Sequence, residues 1–325
     1  MRAGVVHVYR SLAAAFALTS SLACGSSTTG SEGSNDLDAS SGAAVAADAA
    51  PEAGGPDASP YFEGEKYVLA GSHANIVRRM GFIGLTAPGV ARGFDLDGRV
   101  SPAGERESCG HGDLTDPEGR TGIDNQLASI WATLEPLVGP QVAALLQGAI
   151  NEGRVLVMME LSGVDDLRDD PDVTFRLFRG VLRPEVGTQG YITPDQTFAF
   201  DYENPVSTVS NVAIVDGELV AGPVVLQVPI AILDLDIIAD IELGRIRVRI
   251  AEDGTFSGYI GGALSLPKII GALLETGASA ETRLVQPIFE RNADMEPVDG
   301  KCTYISVGLE FDGTTAFVVR DAARE

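Results

Sequence analysis

Histidine, cysteine and tryptophan are scarce in this chain: its 325 residues include 3 His, 3 Cys and 1 Trp. Most familiar catalytic and metal-binding sets therefore cannot be assembled. No H-E-x-x-H occurs, no G-x-S-x-G nucleophile elbow, and no G-x-x-x-x-G-K-[ST] phosphate loop. Past the first residues only His73 and His111 remain, and neither has a recognisable serine or acid partner in sequence. A zinc set of Cys109, His111 and Asp113 would offer one His and one Cys, a poor complement for that ion. Basic residues are the second shortage. Against 46 Asp plus Glu stand 23 Lys plus Arg, a formal charge of -23. Phosphate neutralisation needs a basic face, so no nucleic-acid partner is expected, and an anionic membrane surface is an equally poor one. What the chain does have is apolar content: at 45% hydrophobic it is not disordered throughout, and its 38 glycines, lacking a three-residue repeat, are not collagen.

Residues 1–24 carry Arg2 and Arg10, an apolar stretch from Leu12 to Leu18, then Ser-Ser-Leu-Ala-Cys. That is the layout of a secretory signal peptide, too short to span a bilayer. Leu22, Ala23 and the acceptor Cys24 resemble a bacterial lipobox, which implies thioether lipidation of Cys24; Ser21-x-Ala23 also suits ordinary signal peptidase, so simple secretion stays open. Residues 25–60 are mostly Gly, Ser, Thr, Ala, Asp and Pro, with no aromatic side chain and no Lys or Arg. Nothing in them offsets the entropy of ordering, so they read as a disordered, self-repelling acidic tether. Residues 61–325 then form a single β-rich globular domain. With Cys24 lipidated, Cys109 and Cys302 remain, and two thiols outside the cytoplasm are expected to pair as a disulfide.

The period of the apolar residues divides this domain. From 124 to 151 they recur every three or four positions, with Gly139-Pro140 between two such runs, which predicts a helical hairpin. Further on the period is two. Strands are expected at 154–160, 173–178, 209–215, 224–232, 233–243, 245–250, 255–260, 304–311 and 316–319, and a short helix at 267–276. Asp216-Gly217, Leu243-Gly244, Asp253-Gly254 and Asp312-Gly313 read as turns. A turn at Leu243-Gly244 would set Glu242 against Arg245 and Asp240 against Arg247 across a solvent-facing hairpin, which accounts for Arg245, Arg247 and Arg249 without an anionic ligand. The fold class is mainly β, α+β: an antiparallel sandwich or strongly curved sheet with helical insertions.

Chemistry concentrates between Gly93 and Gln126. Asp95 and Asp97 stand in Phe-Asp-Leu-Asp-Gly, Asp113 and Asp116 flank Leu114-Thr115, and Asp124 opens Asp-Asn-Gln. Carboxylates spaced among glycines let the backbone curl and aim several oxygens inward, as a hard cation such as calcium requires. EF-hand spacing is not met from Asp95 or Asp113. The alternative makes these residues turn formers and Asp124 a helix cap. A second acidic cluster, Asp165 to Asp172, reads as a solvated loop.

The signal, Ser21-Leu22-Ala23-Cys24-Gly25, the acidic tether, Phe94-Asp95-Leu96-Asp97-Gly98, the Cys109-Gly110 turn, Gly122-Ile123-Asp124-Asn125-Gln126-Leu127 and a β-rich tail together resemble a group of uncharacterised predicted lipoproteins of myxobacteria-like organisms. That resemblance spans most of the chain and implies location and single-domain organisation; the group has no known activity. The expectation is an exported protein held at the outer membrane by its lipid, on the periplasmic or the surface side, or a secreted soluble one. It acts as a non-enzymatic binding or structural module, stabilised by calcium. The alternatives are a secreted hydrolase acting on polysaccharide through paired carboxylates and a carrier of an apolar ligand, motivated by the aliphatic residues from Val224 to Leu274.

Overall fold

The computed structural model describes residues 67–69, 73–232, 235–275, 277 and 279–321; Cys24, the leader and the tether lie outside them. Strands are β1 (Tyr67–Leu69), β2 (His73–Phe82), β3 (Val157–Ser162), β4 (Asp170–Val181), β5 (Gln196–Phe200), β6 (Ser207–Val215), β7 (Glu218–Ile232), β8 (Leu235–Ile250), β9 (Phe256–Ser265), β10 (Met295–Val298) and β11 (Lys301–Asp321). Helices are α1 (Gln126–Asn151), α2 (Leu266–Glu275) and α3 (Ser279–Asn292). Strands hold more than twice as many residues as helices, so the protein is mainly β, as its alternating pattern predicts.

All strands belong to one sheet, and its curvature is strong enough to bring it back on itself. The order β11-β2-β3-β4-β6-β7-β8-β9 runs antiparallel, and β9 then pairs with β11 again. Residues 309–312 of β11 are hydrogen-bonded on both edges, to β2 on one side and β9 on the other. Closure of this kind gives both outermost strands of the run, β2 and β9, a partner in β11, so neither is left as an outer edge. Only β5 breaks the antiparallel rule, lying parallel to β11 and bridging to β4. The aliphatic residues from 224 onward are spent on the core: Val224, Leu226, Ile246, Val248, Ile260 and Leu264 pack in a single cluster with β2, β3, β4 and β11.

Three local expectations are corrected. Asp216-Gly217 and Asp253-Gly254 are turns, but Leu243-Gly244 and Asp312-Gly313 lie inside continuous strands, at irregularities where the pairing register shifts. An Asp-Gly or Leu-Gly pair supplies the backbone freedom that a bulge needs as well as the freedom a turn needs. Leu243 accordingly takes φ 54° without reversing the chain. The reversal comes earlier, between Ile232 and Leu235, which face each other across β7 and β8. The helical hairpin is likewise one helix, α1, running through Pro136 and Pro140. Each proline removes a helical hydrogen bond, but both are exposed, while Ala128 and Trp131 near one end and Leu146, Ala149 and Ile150 near the other are buried. Packing at the two ends outweighs the local break. Helix α2 stands where expected and α3 was not anticipated.

The segment from Ile83 to Asn125 is irregular, and it lies against β9 and β11. Ile83, Ala91, Phe94, Leu114, Ile123 and Ala128 form a second small core closed by Tyr259 of β9. Contact is close because two strand positions lack side chains. A Cβ on Gly261 would sit 2.8 Å from the Phe94 ring, and one on Gly308 would sit 2.6 Å from Asn125 Nδ2. Cys109 joins Cys302 with Cα atoms 5.9 Å apart, fastening the same segment to the start of β11. Replacing Gly261 or Gly308 by Ala is expected to lower unfolding free energy by about 1–3 kcal/mol, since both neighbours are buried and must move. Urea midpoints would measure this; unchanged midpoints would mean that the segment does not need this close seat.

Candidate metal centre

Asp95, Asp97 and Asp124 are brought together: each offers a carboxylate oxygen, and these lie within 4.8 Å of one another. Phe94 and Asp124 form an isolated antiparallel bridge, with the Asp124 amide donating to Phe94 O at 2.9 Å, so one backbone pairing draws the two stretches side by side. The first stretch then curls. Asp95 Oδ1 accepts from Gly98 N at 2.6 Å and Arg99 N at 3.1 Å, and Asp97 Oδ1 accepts from Arg99 N at 2.9 Å. These are the side-chain-to-backbone bonds of a turn, and they leave the second oxygen of each carboxylate for other work. Asp124 is buried and accepts from Leu96 N at 2.6 Å. It does not cap α1; the first helical amide, of Gln126, instead donates to Ser306 Oγ at 2.7 Å.

Around this triad negative charge accumulates. Asp113 stands close enough to feel Asp97 and Asp95, and burial, opposed by the amide of Ser101, raises its pKa with their help. Asp116 is used differently. Burial pushes its carboxyl up, but the backbone and guanidinium of Arg120 bind both of its oxygens and hold it below the usual carboxylate range. It belongs to an ion pair, outside the triad. Asp294, between α3 and β10, is the residue that sequence reading missed. It hydrogen-bonds the hydroxyl and amide of Ser306, and burial raises it to about 6. No local motif marks it, because it reaches the centre across 170 positions of chain from Asp124 only through the return of β11. Asp124 carries the sum: burial first, then the charges of Asp97, Asp113 and Asp294, push its pKa to about 8 against the Leu96 amide.

Such a group of oxygens with no paired cation at its centre is suited to a metal ion. The donors are all hard. Nitrogen and sulfur ligands are committed elsewhere: Cys109 is in the disulfide, and His111 donates from Nε2 to Arg291 O at 3.0 Å while Nδ1 accepts from Gln126 Nε2 at 3.1 Å. Arg99 is held by Glu105 at 3.3 Å. The second acidic run also proves organised, since the Asp170 carboxylate accepts from the amides of Asp165, Asp166 and Asp172, which lowers its pKa. No protein-family model, curated protein or solved structure matches the chain.

The raised pKa values give a signed prediction. Groups whose folded pKa exceeds the unfolded value contribute stability below the unfolded pKa and lose it as pH rises through the folded one. Chelated protein should therefore lose stability steadily from about pH 4 to pH 8, the window between the ordinary aspartate value and the raised value of Asp124, with Asp294 adding its part up to about pH 6. Asp124→Asn should flatten most of that slope. Thermal unfolding in excess chelator across this range measures both; a slope unchanged in the variant would mean that Asp124 ionises freely.

Proposed function

We propose that the protein is an exported, lipid-anchored module of the cell envelope that binds rather than catalyses, with its irregular segment locked by a calcium ion at Asp95, Asp97 and Asp124. The observation that carries this reading is the triad, three carboxylate oxygens within 4.8 Å from two stretches held by one backbone bridge. Calcium–oxygen distances of about 2.3–2.6 Å place ligands on opposite sides of one ion about 5 Å apart, so the triad spans a single calcium site, with Asp113 beside it and water completing the shell. Magnesium, at about 2.0–2.1 Å and with strict octahedral demands, suits this looser set less well.

Export is supported by the leader-like first 24 residues and by the Cys109–Cys302 bridge, which persists in oxidising compartments. Anchoring rests on Cys24 and its lipobox-like setting, and on the layout shared with the uncharacterised lipoproteins. An acidic chain is well matched to a calcium-rich exterior and poorly matched to an anionic bilayer, so contact with the membrane is through the lipid alone.

Added calcium should raise the unfolding temperature of the oxidised full chain, by the equivalent of about 2.7 kcal/mol at a hundredfold excess over the dissociation constant. Excess chelator should reverse this, and Asp95→Asn with Asp97→Asn should abolish it while leaving the chelated protein folded. An unfolding temperature indifferent to calcium in the wild type would sink the proposal.

A further inference from the structure

A cavity of about 850 Å³ lies on the sheet beyond the metal centre, and arginine converges on it: Arg79, Arg92, Arg120, Arg247 and Arg249 all line it. In a chain with 23 basic residues against 46 acidic ones, this is a strong local enrichment. Its floor is built by strand register. One row crosses five strands as Glu218, Arg249, Ser257, Asp312 and Arg79; a second, two residues along, runs Val220, Arg247, Tyr259, Glu310 and Gly81. These are the residues alternating with the core positions Val248, Ile260, Leu309 and Met80. Sequence pattern marks the face as solvent-exposed and assigns its arginines to cross-strand pairs. They do pair, with Glu218 and Asp312, but the face is also walled, by the segment bearing Arg92, Glu118 and Arg120 and by Ala143 and Gln147 of α1.

The pairing determines what would fit. Arg247 and Arg249 share the single carboxylate of Glu218, and Arg79 pairs with Asp312 at 2.8 Å. Most of the positive charge is thus balanced, while a guanidinium has five N–H donors and a pair of this kind uses few of them. Arg247 Nε is buried with no partner. Arg92 has no ion pair among the described residues, and its backbone oxygen is held by Asn125 Nδ2 at 2.9 Å, the same side chain that sits against Gly308. Glu310 is exposed on the floor and offers a free acceptor. The five lining arginines face four lining carboxylates, Glu118, Glu218, Glu310 and Asp312, and this net single positive charge beside many donors and acceptors matches a ligand with one negative charge and several hydroxyls. A compact dianion would meet Glu310, Glu118 and Glu218 in the same space.

We propose that this cavity binds an acidic sugar, a uronate-bearing oligosaccharide whose carboxylate meets Arg92 and whose hydroxyls are shared among Arg247, Glu310 and the neighbouring pairs. The volume falls within the range of built ligand sites and exceeds what a single small ion fills. Arg120 ties the wall to the floor, binding Asp116 on one side and the Tyr259 hydroxyl on the other.

Calorimetric titration of the full chain with an aldotriouronic acid, a trisaccharide bearing a single uronate, in excess chelator so that the aspartate triad holds no ion, tests this. The aldotriouronic acid should bind, maltotriose should bind at least tenfold more weakly, and inorganic phosphate in tenfold excess should not displace the uronate. Arg92→Gln should weaken binding at least tenfold and Arg92→Lys should restore part of it; Arg92 is exposed, and circular dichroism checks the fold of each variant. Absence of binding in the wild type, equal affinity for the neutral trisaccharide, displacement by phosphate, or an unaltered Arg92→Gln each overturns the proposal. Because chelator is present throughout, these outcomes do not require the triad to hold calcium; an ion there would add to the affinity only when calcium is restored.

Discussion

Everything distinctive in this protein depends on the seating of an irregular segment on the β9–β11 face. An irregular stretch has backbone polar groups that no ladder satisfies and little apolar surface, so it needs a firm support. Here the support is a gap. Gly261 and Gly308 leave the strands without side chains where Phe94 and Asn125 arrive, and Ile83 N donates to Gly308 O at 2.9 Å beside them. The disulfide adds a covalent fastening between residues 193 positions apart. In the chain-entropy account a loop of that size restricts the unfolded state by about 5 kcal/mol, so the bridge favours the seated state without requiring any extra native contact.

Once seated, the segment gathers carboxylates that would otherwise be far apart. Burial, joined by the charges of Asp97, Asp113 and Asp294, forces Asp124 to about 8, and burial raises Asp294 to about 6. Such a cluster destabilises the fold as these groups ionise, and a protein can tolerate that where an ion or ligand recovers the difference. The surrounding assignments point the same way. Asp116, lying only eight positions before Asp124, is paired with Arg120, whereas among the described residues no ion pair engages the triad.

Much of the framework is legible in the sequence, for reasons that identify where legibility ends. Alternation exposed most of the ring's strands because one face of each is buried, and the count of cysteines exposed the bridge because few pairings were possible. The aspartates at 95, 97 and 124 were legible as a group because two short glycine-flanked stretches carried them. Failures came where local chemistry is ambiguous. Gly-containing dipeptides at 243–244 and 312–313 serve bulges as readily as turns, and whether a chain reverses there is decided by the neighbouring strands. Pro136 and Pro140 break a helix only when its ends are free, and both ends of α1 are held by tertiary packing. Asp294 and the partners of Arg247 and Arg249 were out of reach for the same reason: their neighbours are set by sheet closure, which depends on the pairing of β11 with strands at both extremes of the ring.

That closure also places the aspartate triad and the arginine-lined cavity on a single mechanical unit. Asn125 adjoins Asp124 and holds the carbonyl of Arg92; Arg245 of β8 lies over the Phe94 ring and reaches Asp95 O at 3.4 Å; Arg120 reaches from Asp116 to Tyr259. The Asn125 link ends on Arg92 in the cavity wall and the Arg120 link on Tyr259 in its floor, while Arg245 is two residues along β8 from the floor residue Arg247. An ion drawing Asp95, Asp97 and Asp124 together would therefore fix the side chains that line the cavity before any ligand arrives, reducing the conformational freedom lost on binding. In a chain whose overall charge repels anions, that rigidity is the more effective route to affinity, since long-range attraction is not available to it.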